Sequence, residues 1–222
     1  MSEEKRTTSK KYYDHISVAN RTSQVAYFVQ QHDKSTMLQE LLKPLGSKQI
    51  LLLVKSKKGA DTLNTSLKEL GLNSICAHGN HRASQIEEAV VAFNAKEANI
   101  IITTDRIFET MDLGDVDLLI NYDLPLEEAD YFKRLRKVDE VGESIVLIDP
   151  DEERTLATLE LMMKCEMKEE ELEGFEHTNS KQTSPKDKTK KPRHKKVAQR
   201  AKRKAEIKSQ WVPVEKQEEE KK

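Results

Sequence analysis

The stretch ILLLV at residues 50–54 carries five consecutive apolar side chains and no charge. An apolar run of this length without alternation is typical of a β-strand that is buried on both faces, as strands of parallel sheets are. The following residues, 57–71, show helical spacing of apolar side chains and end at Gly71. A buried strand that leads into a helix is the repeating unit of a parallel α/β sheet.

The same alternation extends outward over residues 24–173. Further strands are predicted at 73–77, 100–103, 117–121 and 145–148, with a short edge strand in which Val25, Tyr27 and Val29 alternate. Helices are predicted at 37–45, 82–96 and 127–138, followed from about residue 151 by a closing helix that carries Met163 and Met167. We therefore predict an α/β fold with a mostly parallel sheet covered by helices on both faces. Ligands of such folds bind at the carboxyl ends of the strands.

Charge is segregated along the chain. Residues 181–208 hold thirteen Lys or Arg and two acidic residues, whereas residues 1–180 hold 22 basic and 33 acidic residues. Beyond Gly174 apolar residues are scarce, and such a composition predicts disorder. An acidic body with a basic arm is typical of proteins whose arm binds nucleic acid. A solvated tail without a partner and a nuclear-targeting signal remain alternatives.

Cysteine usage and hydropathy indicate the cellular setting. Cys76 and Cys165 are far apart, and their spacing matches neither a disulfide framework nor a metal-ligand motif. The first residues contain no apolar stretch typical of a signal peptide, and no run approaches the roughly 18 apolar residues of a membrane span. We expect reduced thiols, no bound metal, no membrane association and a cytoplasmic protein.

Six short motifs follow one another in a characteristic order. They are ILLLVKSKKGA (50–60), AHGN (77–80), IIITTD (100–105), MD (111–112), LLINYDLP (118–125) and YFKRLR (131–136). In order and spacing the series resembles the C-terminal RecA-like (helicase C) domain of DEAD-box ATP-dependent RNA helicases. The resemblance covers about residues 20–173. It implies a single RecA-like three-layer αβα domain at residues 20–174, between a disordered segment 1–19 and a disordered basic tail 175–222.

The chain departs from the family pattern at the positions that act on ATP. In the family, ATP lies between this domain and a P-loop domain, and arginines of this domain stabilise the transferring phosphoryl group, an effect worth ~10³–10⁵ in rate. Here Glu109 and Thr110 replace an Arg-Gly pair, and Lys137 and Glu140 replace the two finger arginines, whereas Arg134 matches the family. A lysine lacks the planar fork of arginine, and a glutamate repels phosphate.

Because of these departures, we do not expect the chain alone to hydrolyse ATP. No G-x-x-x-x-G-K-[ST] motif occurs in the 222 residues, and the roughly 20 residues before the body are too few for a P-loop domain. We therefore expect a degenerate domain without the N-terminal P-loop domain, with no catalytic residue and no cofactor. ATP binding is expected only with a partner domain.

The residues that match the family imply RNA and weak nucleotide contacts. The resemblance assigns RNA contact to Gly79, Thr104 and Asp105, and weak nucleotide contact to Asp112, Arg134 and Lys137. The basic tail adds RNA-binding candidates at Lys190, Lys191, Arg193, Lys195, Lys196, Arg200, Lys202, Arg203 and Lys204. Capping of the following helix is an alternative role for Asp105.

Three further features have weaker implications. The matches to the family at Asn121, Asp123 and Pro125 have an alternative explanation, which is that these residues only shape a loop. Trp211 has three open roles: stacking on a base, anchoring on a partner protein, or neither. The segment 149–153 (DPDEE) superficially resembles magnesium-binding acids but is interpreted as a helix start, with acidic residues in the first turn.

Three hypotheses follow for function. The leading one is an RNA-binding accessory protein without autonomous ATP hydrolysis or unwinding, with RNA and a helicase or ribosome-assembly protein as partners. The second is one half of an ATP-dependent RNA helicase completed by a separate P-loop domain. The third is a protein-interaction module that docks on a helicase, through an acidic surface over residues 127–176.

Overall fold

A computed structural model describes residues 15–138, residues 142–178 and Lys202. Seven strands form one sheet: β1 (Ser23–Phe28), β2 (Ile50–Leu53), β3 (Ser74–Ala77), β4 (Ile100–Thr103), β5 (Leu118–Asn121), β6 (Glu143–Ile148) and β7 (Lys168–Glu170). Their order across the sheet is β3-β4-β2-β5-β6-β1-β7, and every neighbouring pair is parallel. The predicted α/β fold is confirmed, with a described sheet that is wholly parallel.

Helices cover both faces of this sheet. They are α1 (His15–Arg21), α2 (Lys34–Leu42), α3 (Lys57–Glu69), α4 (Ala83–Asn94), α5 (Asp105–Phe108), α6 (Glu128–Leu135) and α7 (Glu153–Met163), with 3-10 turns at Lys43–Leu45 and Arg136–Val138. Helices α2 and α3 pack on one face of the sheet, and helices α1, α4, α6 and α7 pack on the other. Each face has one apolar core between the sheet and its helices. Within the described ranges, no helix is long and apolar enough to cross a membrane.

Strand β2 explains why a continuous apolar run identifies this fold. It lies between β4 and β5, and all four of its residues are buried. Leu51 and Leu53 belong to the core under α1, α4, α6 and α7, while Ile50 and Leu52 belong to the core under α2 and α3. Because side chains alternate between the two faces and both faces are covered, every position must be apolar.

Strand β1 lies inside the sheet, which corrects the prediction of an edge strand. It pairs with β6 on one side and with β7 on the other. Strand β7 was not predicted because its sequence, Lys168-Glu169-Glu170, lacks an apolar pattern. Its edge position explains the charges, since charged edge strands resist pairing with other chains. The Tyr27 hydroxyl donates a hydrogen bond of 2.9 Å to Glu170 Oε2 and ties the two strands together.

The N-terminal limit of the ordered body is also corrected. Residues 15–19, predicted to be disordered, begin helix α1, whose Val18 is fully buried. The His15 ring stacks on Phe132 of α6 at a centroid distance of 4.0 Å. A helix of seven residues with two buried apolar positions gives too weak a periodic signal, so the sequence pattern did not predict it.

The C-terminal part of the body differs in two details. Helix α7 ends at Met163 because Lys164 adopts a left-handed conformation, so Met167 reaches the core from the following turn and not from the helix. Phe175 packs against the core beside α2, and the Thr178 N–H donates a hydrogen bond of 3.0 Å to Asp33 Oδ2. Residues 175–178, assigned to the disordered tail, therefore pack on the body. The remainder of that predicted tail lies outside the described residues, apart from Lys202.

Gly142 has no room for a side chain. An ideal Cβ there would overlap Val138 Cβ and lie 2.8 Å from the Val138 carbonyl oxygen. We expect Gly142→Ala to lower the free energy of unfolding by about 1–3 kcal/mol, measured by urea unfolding. Gly79→Ala is the matched control, because its Cβ would meet no neighbour closer than 3.5 Å. Equal stabilities of the two variants would contradict this prediction.

Candidate nucleic-acid interface

The loops after β2, β3 and β4 meet at one edge of the sheet. The three strands are parallel neighbours, so their carboxyl ends lie side by side. Lys57 Nζ donates a hydrogen bond of 2.8 Å to Asn80 Oδ1, which joins the start of α3 to the loop after β3. A Cβ on Gly79 would lie 3.8 Å from Ile107 Cδ1 of α5. The structure therefore brings the predicted Gly79 close to the segment that begins with Thr104.

Exposed cations surround this junction. We call them the basic edge: Lys55, Lys57, Lys58, Arg82 and Arg106. Gly79, also exposed, lies among them, and glycine allows a ligand to approach the backbone closely. Phosphate groups of nucleic acids are bound by such combinations of Lys, Arg and backbone N–H groups. None of these five cations was singled out from the sequence, although three lysines within four residues after a buried strand were a usable signal.

Arg134 is a buried residue whose partners lie within the domain, and its predicted nucleotide contact stays a prediction. Its side chain is fully buried. Its Nε and Nη2 donate to the two carboxylate oxygens of Asp105 at 2.5 and 2.6 Å. Its Nη1 donates to Asn121 Oδ1 at 2.8 Å and to the Asp123 carbonyl at 2.9 Å. Four hydrogen bonds thus hold α6 against the ends of β4 and β5.

Asp105 is the partner of Arg134 in this contact. Both of its carboxylate oxygens accept from Arg134, and its predicted RNA contact stays a prediction. A bidentate Arg–carboxylate pair of this kind is among the strong hydrogen-bonded contacts in proteins. Thr104 precedes α5, and its carbonyl accepts from Ile107 and Phe108 N–H groups at 3.0 and 2.9 Å. Its half-buried side chain stays a predicted RNA contact.

The positions predicted to face a nucleotide have partners within the domain. Lys133 Nζ lies 2.7 Å from both Glu109 Oε1 and Asp130 Oδ1, and hydrogen bonds to Asp130 and Glu109 raise its pKa above the ordinary lysine value. Lys137 Nζ donates to the Leu113 carbonyl. This contact places Lys137 beside the exposed Asp112, whose carbonyl accepts from Asn94 Nδ2 at 3.0 Å.

Two groups of predicted residues fall outside this description. Glu140 lies outside the described residues, so its expected repulsion of phosphate stays a prediction. The tail candidates Lys190, Lys191, Arg193, Lys195, Lys196, Arg200, Arg203 and Lys204 also lie outside them. Lys202 is exposed and helical.

A buried charge cluster at the same edge was missed by sequence reasoning. Lys34 at the start of α2 is fully buried, and its Nζ lies 2.6 Å from Glu152 Oε2 and 3.2 Å from Asp149 Oδ2. It also lies 3.6 Å from Asp123 Oδ1 and donates to the Tyr122 carbonyl at 3.0 Å. The segment 149–153 leads into α7, which confirms a helix start there, although Glu153 alone of its acids lies in the first turn of the helix. Asp149 and Glu152 neutralise Lys34.

The pKa values of these acids reflect opposing effects. Burial pushes the pKa of Asp149 upward, but Lys34 and the N–H groups of Asp151 and Glu152 outweigh it and lower the pKa overall. At Glu152 burial dominates over Lys34 and raises the pKa. Asp123 also connects the cluster to the segment after β2, because its carboxylate accepts a hydrogen bond of 2.9 Å from the Lys55 N–H. The cluster fixes the ends of β5 and β6 and the start of α2.

Comparisons with known proteins agree with this architecture. Residues 33–140 match the model of the helicase conserved C-terminal domain. The chain is 30% identical over 128 residues to the probable ATP-dependent RNA helicase DDX23 of Homo sapiens, covering 58% of this chain and 16% of that protein. It is 27% identical over 169 residues to the DEAD-box ATP-dependent RNA helicase RhpA of Helicobacter pylori, covering 73% and 33%. The chain thus spans about a sixth to a third of the length of these relatives.

Solved structures show the same fold. A DEAD box protein from Methanococcus jannaschii superposes with a TM-score of 0.65 at 26% identity, covering 69% of this chain and 43% of that one. Escherichia coli SrmB, solved bound to regulator of ribonuclease activity A, has a TM-score of 0.64 at 18% identity, covering 71% and 97%. Saccharomyces cerevisiae Dbp5, solved bound to RNA and ADP BeF3, has a TM-score of 0.61 at 22% identity, covering 67% and 41%.

Proposed function

We propose, from its similarity to the C-terminal RecA-like domains of DEAD-box RNA helicases, that this chain is an RNA-binding accessory protein without autonomous ATP hydrolysis. The proposal assigns RNA contact to the basic edge and to the basic arm at residues 181–208. Its partners are RNA and a helicase or ribosome-assembly protein. The assignment to the basic edge rests on charge and geometry at the carboxyl edge of the sheet, and the assignment to the basic arm rests on the charge of its sequence.

The observation that carries the proposal is how the nucleotide-facing motif uses its charges. Glu109 stands where the family has an arginine, and it pairs with Lys133. Lys137, at a finger position, donates to the Leu113 carbonyl, and Arg134 donates four hydrogen bonds inside the protein. Catalysis of phosphoryl transfer needs cationic groups aimed at the developing charge on the phosphoryl oxygens. Here those groups already serve internal partners.

RNA binding is supported by the remaining charges. The basic edge presents five exposed cations around Gly79, on a body that is otherwise acidic. Electrostatic contacts to phosphates supply most of the affinity of binding without sequence preference. The relatives named above are RNA helicases, and the Dbp5 structure contains RNA. RNA is therefore the nucleic acid that the proposal names.

The basic edge can be tested against cations at the opposite edge. We expect Lys57→Gln with Arg82→Gln to weaken binding of single-stranded RNA by roughly 10–30-fold at about 0.1 M salt, because each lost phosphate contact removes about 0.7 from the salt slope. Lys48→Gln with Lys96→Gln is the matched control. Both lysines precede strands of the same sheet and so lie at its amino-terminal edge. Fluorescence anisotropy measures both, and equal losses in the two pairs would count against this surface.

The helicase-half hypothesis keeps one favourable observation: Lys137, at a finger position, donates to the carbonyl of Leu113, the residue that follows Asp112. It is distinguished by an RNA-stimulated ATPase assay on the full chain, alone and with a separate P-loop domain. The accessory-protein proposal expects background rates in both cases. Stimulated turnover that disappears in Lys137→Ala would replace it with the helicase-half hypothesis.

A further inference from the structure

Three side chains of different chemistry converge at the carboxyl end of β3. Cys76 lies within the strand, His78 follows it directly, and Asp61 comes from the start of α3. His78 Nε2 lies 2.8 Å from Asp61 Oδ1, and one potential ligand atom from each of the three residues lies within 4.8 Å of the other two. Ligand atoms around a tetrahedral zinc ion lie roughly 3.3–3.8 Å apart, given bond lengths of about 2.0–2.3 Å. Small side-chain rotations therefore suffice to reach coordination geometry.

The burial of these groups suits a bound ion. Cys76 and His78 are buried, whereas the Asp61 side chain is 58% exposed, so a cation can reach the group from solvent along one side. A surface pocket of about 280 Å³ opens at this point. Asp61 and Cys76 form part of its wall. Water in this pocket can complete the coordination.

From this geometry we propose that Asp61, Cys76 and His78 bind a divalent transition-metal ion of the zinc type, with a fourth position open to water. A thiolate and an imidazole select zinc, cobalt or nickel over magnesium and calcium, which prefer oxygen ligands. Three protein ligands and one open position are a common arrangement for zinc. The site is distinct from the RNA-binding proposal, because it uses none of the cations of the basic edge.

Proton balance at the site is straightforward. Burial, with the nearby Asp61 carboxylate, raises the pKa of Cys76 to about 12, so the thiol is protonated before the metal binds and releases one proton on binding. The Asn80 N–H donates to His78 Nδ1 at 3.3 Å, so Nε2 carries the ring hydrogen and donates it to Asp61. On metal binding this hydrogen moves to Nδ1, at the expense of a long hydrogen bond to an exposed residue.

The ion would fix the loop that forms part of the basic edge. His78 directly precedes Gly79 and Asn80, and Asp61 lies one turn after Lys57 on α3. A bond from each side to one ion would replace the hydrogen bond between His78 and Asp61, and the hydrogen bond from Lys57 to Asn80 would remain as a second link between α3 and this loop. Loss of the metal is therefore expected to loosen Gly79 without removing the fold.

Cobalt substitution provides a direct test in the full chain. We expect Co²⁺ to produce a thiolate-to-cobalt charge-transfer band that is lost in Cys76→Ser and kept in Cys165→Ser, the matched control at the second of two cysteines in the chain. His78→Gln and Asp61→Asn should each lower the affinity at least about 10-fold. Absence of the band in the unaltered chain, or its persistence in Cys76→Ser, would overturn the proposal.

A second measurement separates metal binding from misfolding of the variants. In Cys165→Ser the remaining thiol is Cys76. We expect Zn²⁺ to slow its alkylation by iodoacetamide under mild denaturant at least about 10-fold, and EDTA to reverse this protection. His78→Gln in the same background should abolish the protection while keeping a cooperative thermal transition. Zinc-independent alkylation rates would overturn the proposal regardless of the behaviour of Cys76→Ser.

Discussion

Deletion of residues 181–222 is expected to weaken binding of single-stranded RNA by roughly 10²–10³-fold at about 50 mM salt. The deleted segment contains the thirteen Lys or Arg of the basic arm. If about half of them contact phosphates, the slope of log affinity against log salt concentration falls by about 4 in magnitude, since each contact on a single strand contributes about 0.7. The remaining affinity then comes from the basic edge. Anisotropy titrations from about 50 to 200 mM salt measure both quantities.

Two matched variants separate charge from other properties of the tail. Replacement of the nine tail candidates from Lys190 to Lys204 by glutamine keeps the length and Trp211 but removes the charge, and we expect it to reproduce most of the loss. Trp211→Ala keeps the charge of the tail. A decrease of more than about 10-fold in RNA affinity in this variant would show that stacking of Trp211 on a base contributes over ~1 kcal/mol. Equal and salt-insensitive affinities of the full and shortened chains would refute the role of the arm.

Lys34→Met is expected to destabilise the protein by about 3–5 kcal/mol at neutral pH. Lys34 is fully buried among Asp123, Asp149 and Glu152, and its removal leaves buried carboxylates without their cation. A domain of this size shifts its melting temperature by about 2–4 °C per kcal/mol, so we expect a decrease of roughly 10–15 °C. Thermal unfolding followed by circular dichroism measures it. Lys48→Met, which breaks an exposed pair with Glu143, is the control and should cost less than about 1 kcal/mol.

The pH dependence of the Lys34 effect has a definite sign. In the unaltered protein the pKa of Asp149 is lowered, so its contribution to stability is present above the ordinary aspartate pKa and is lost as the pH falls through the lowered value. The raised pKa of Glu152 opposes this in part. In Lys34→Met the carboxylates favour protonation, so the stability difference should narrow as the pH falls below about 4. A stability difference that stays constant below that pH would show that lost packing, not charge, causes the effect.

The sequence predicts most of the sheet because burial on both faces leaves a local signal. Strands β2, β4 and β5 are runs of apolar residues at the centre of the sheet, and their limits agree with the prediction within a residue. Strand β7 and helix α1 have no such signal, since one is charged and the other is two turns long. Their formation depends on β1, α6 and α7, which are contacts distant in sequence.

The candidate site was harder to predict because its charges pair across elements. The match of Arg134 to the family suggested an anion contact, but its role depends on Asp105, 29 residues away. Lys34 lies 118 residues from Glu152, and no local pattern connects them. Glu109 was identified as a departure from the family, yet its pairing with Lys133 emerges only when α5 and α6 meet. Residue identity indicates chemistry, whereas the choice of partner requires the fold.

The anchoring of Thr178 on Asp33 has a consequence for how tightly a long ligand is held. Asp33 follows β1, so Thr178 lies at the same edge of the sheet as the basic edge. Strands β1 and β2 are three strand spacings apart, roughly 14 Å. The twelve residues from Thr178 to Lys190 can span up to about 40 Å. On the proposed function, we therefore expect one strand of RNA to contact both the basic edge and the basic arm, with the second contact forming at an effective concentration on the order of millimolar. Avidity of this kind raises the overall affinity above that of either contact alone. Cleavage of the segment between Thr178 and Lys190 would abolish this gain and leave the affinity of each separate contact unchanged.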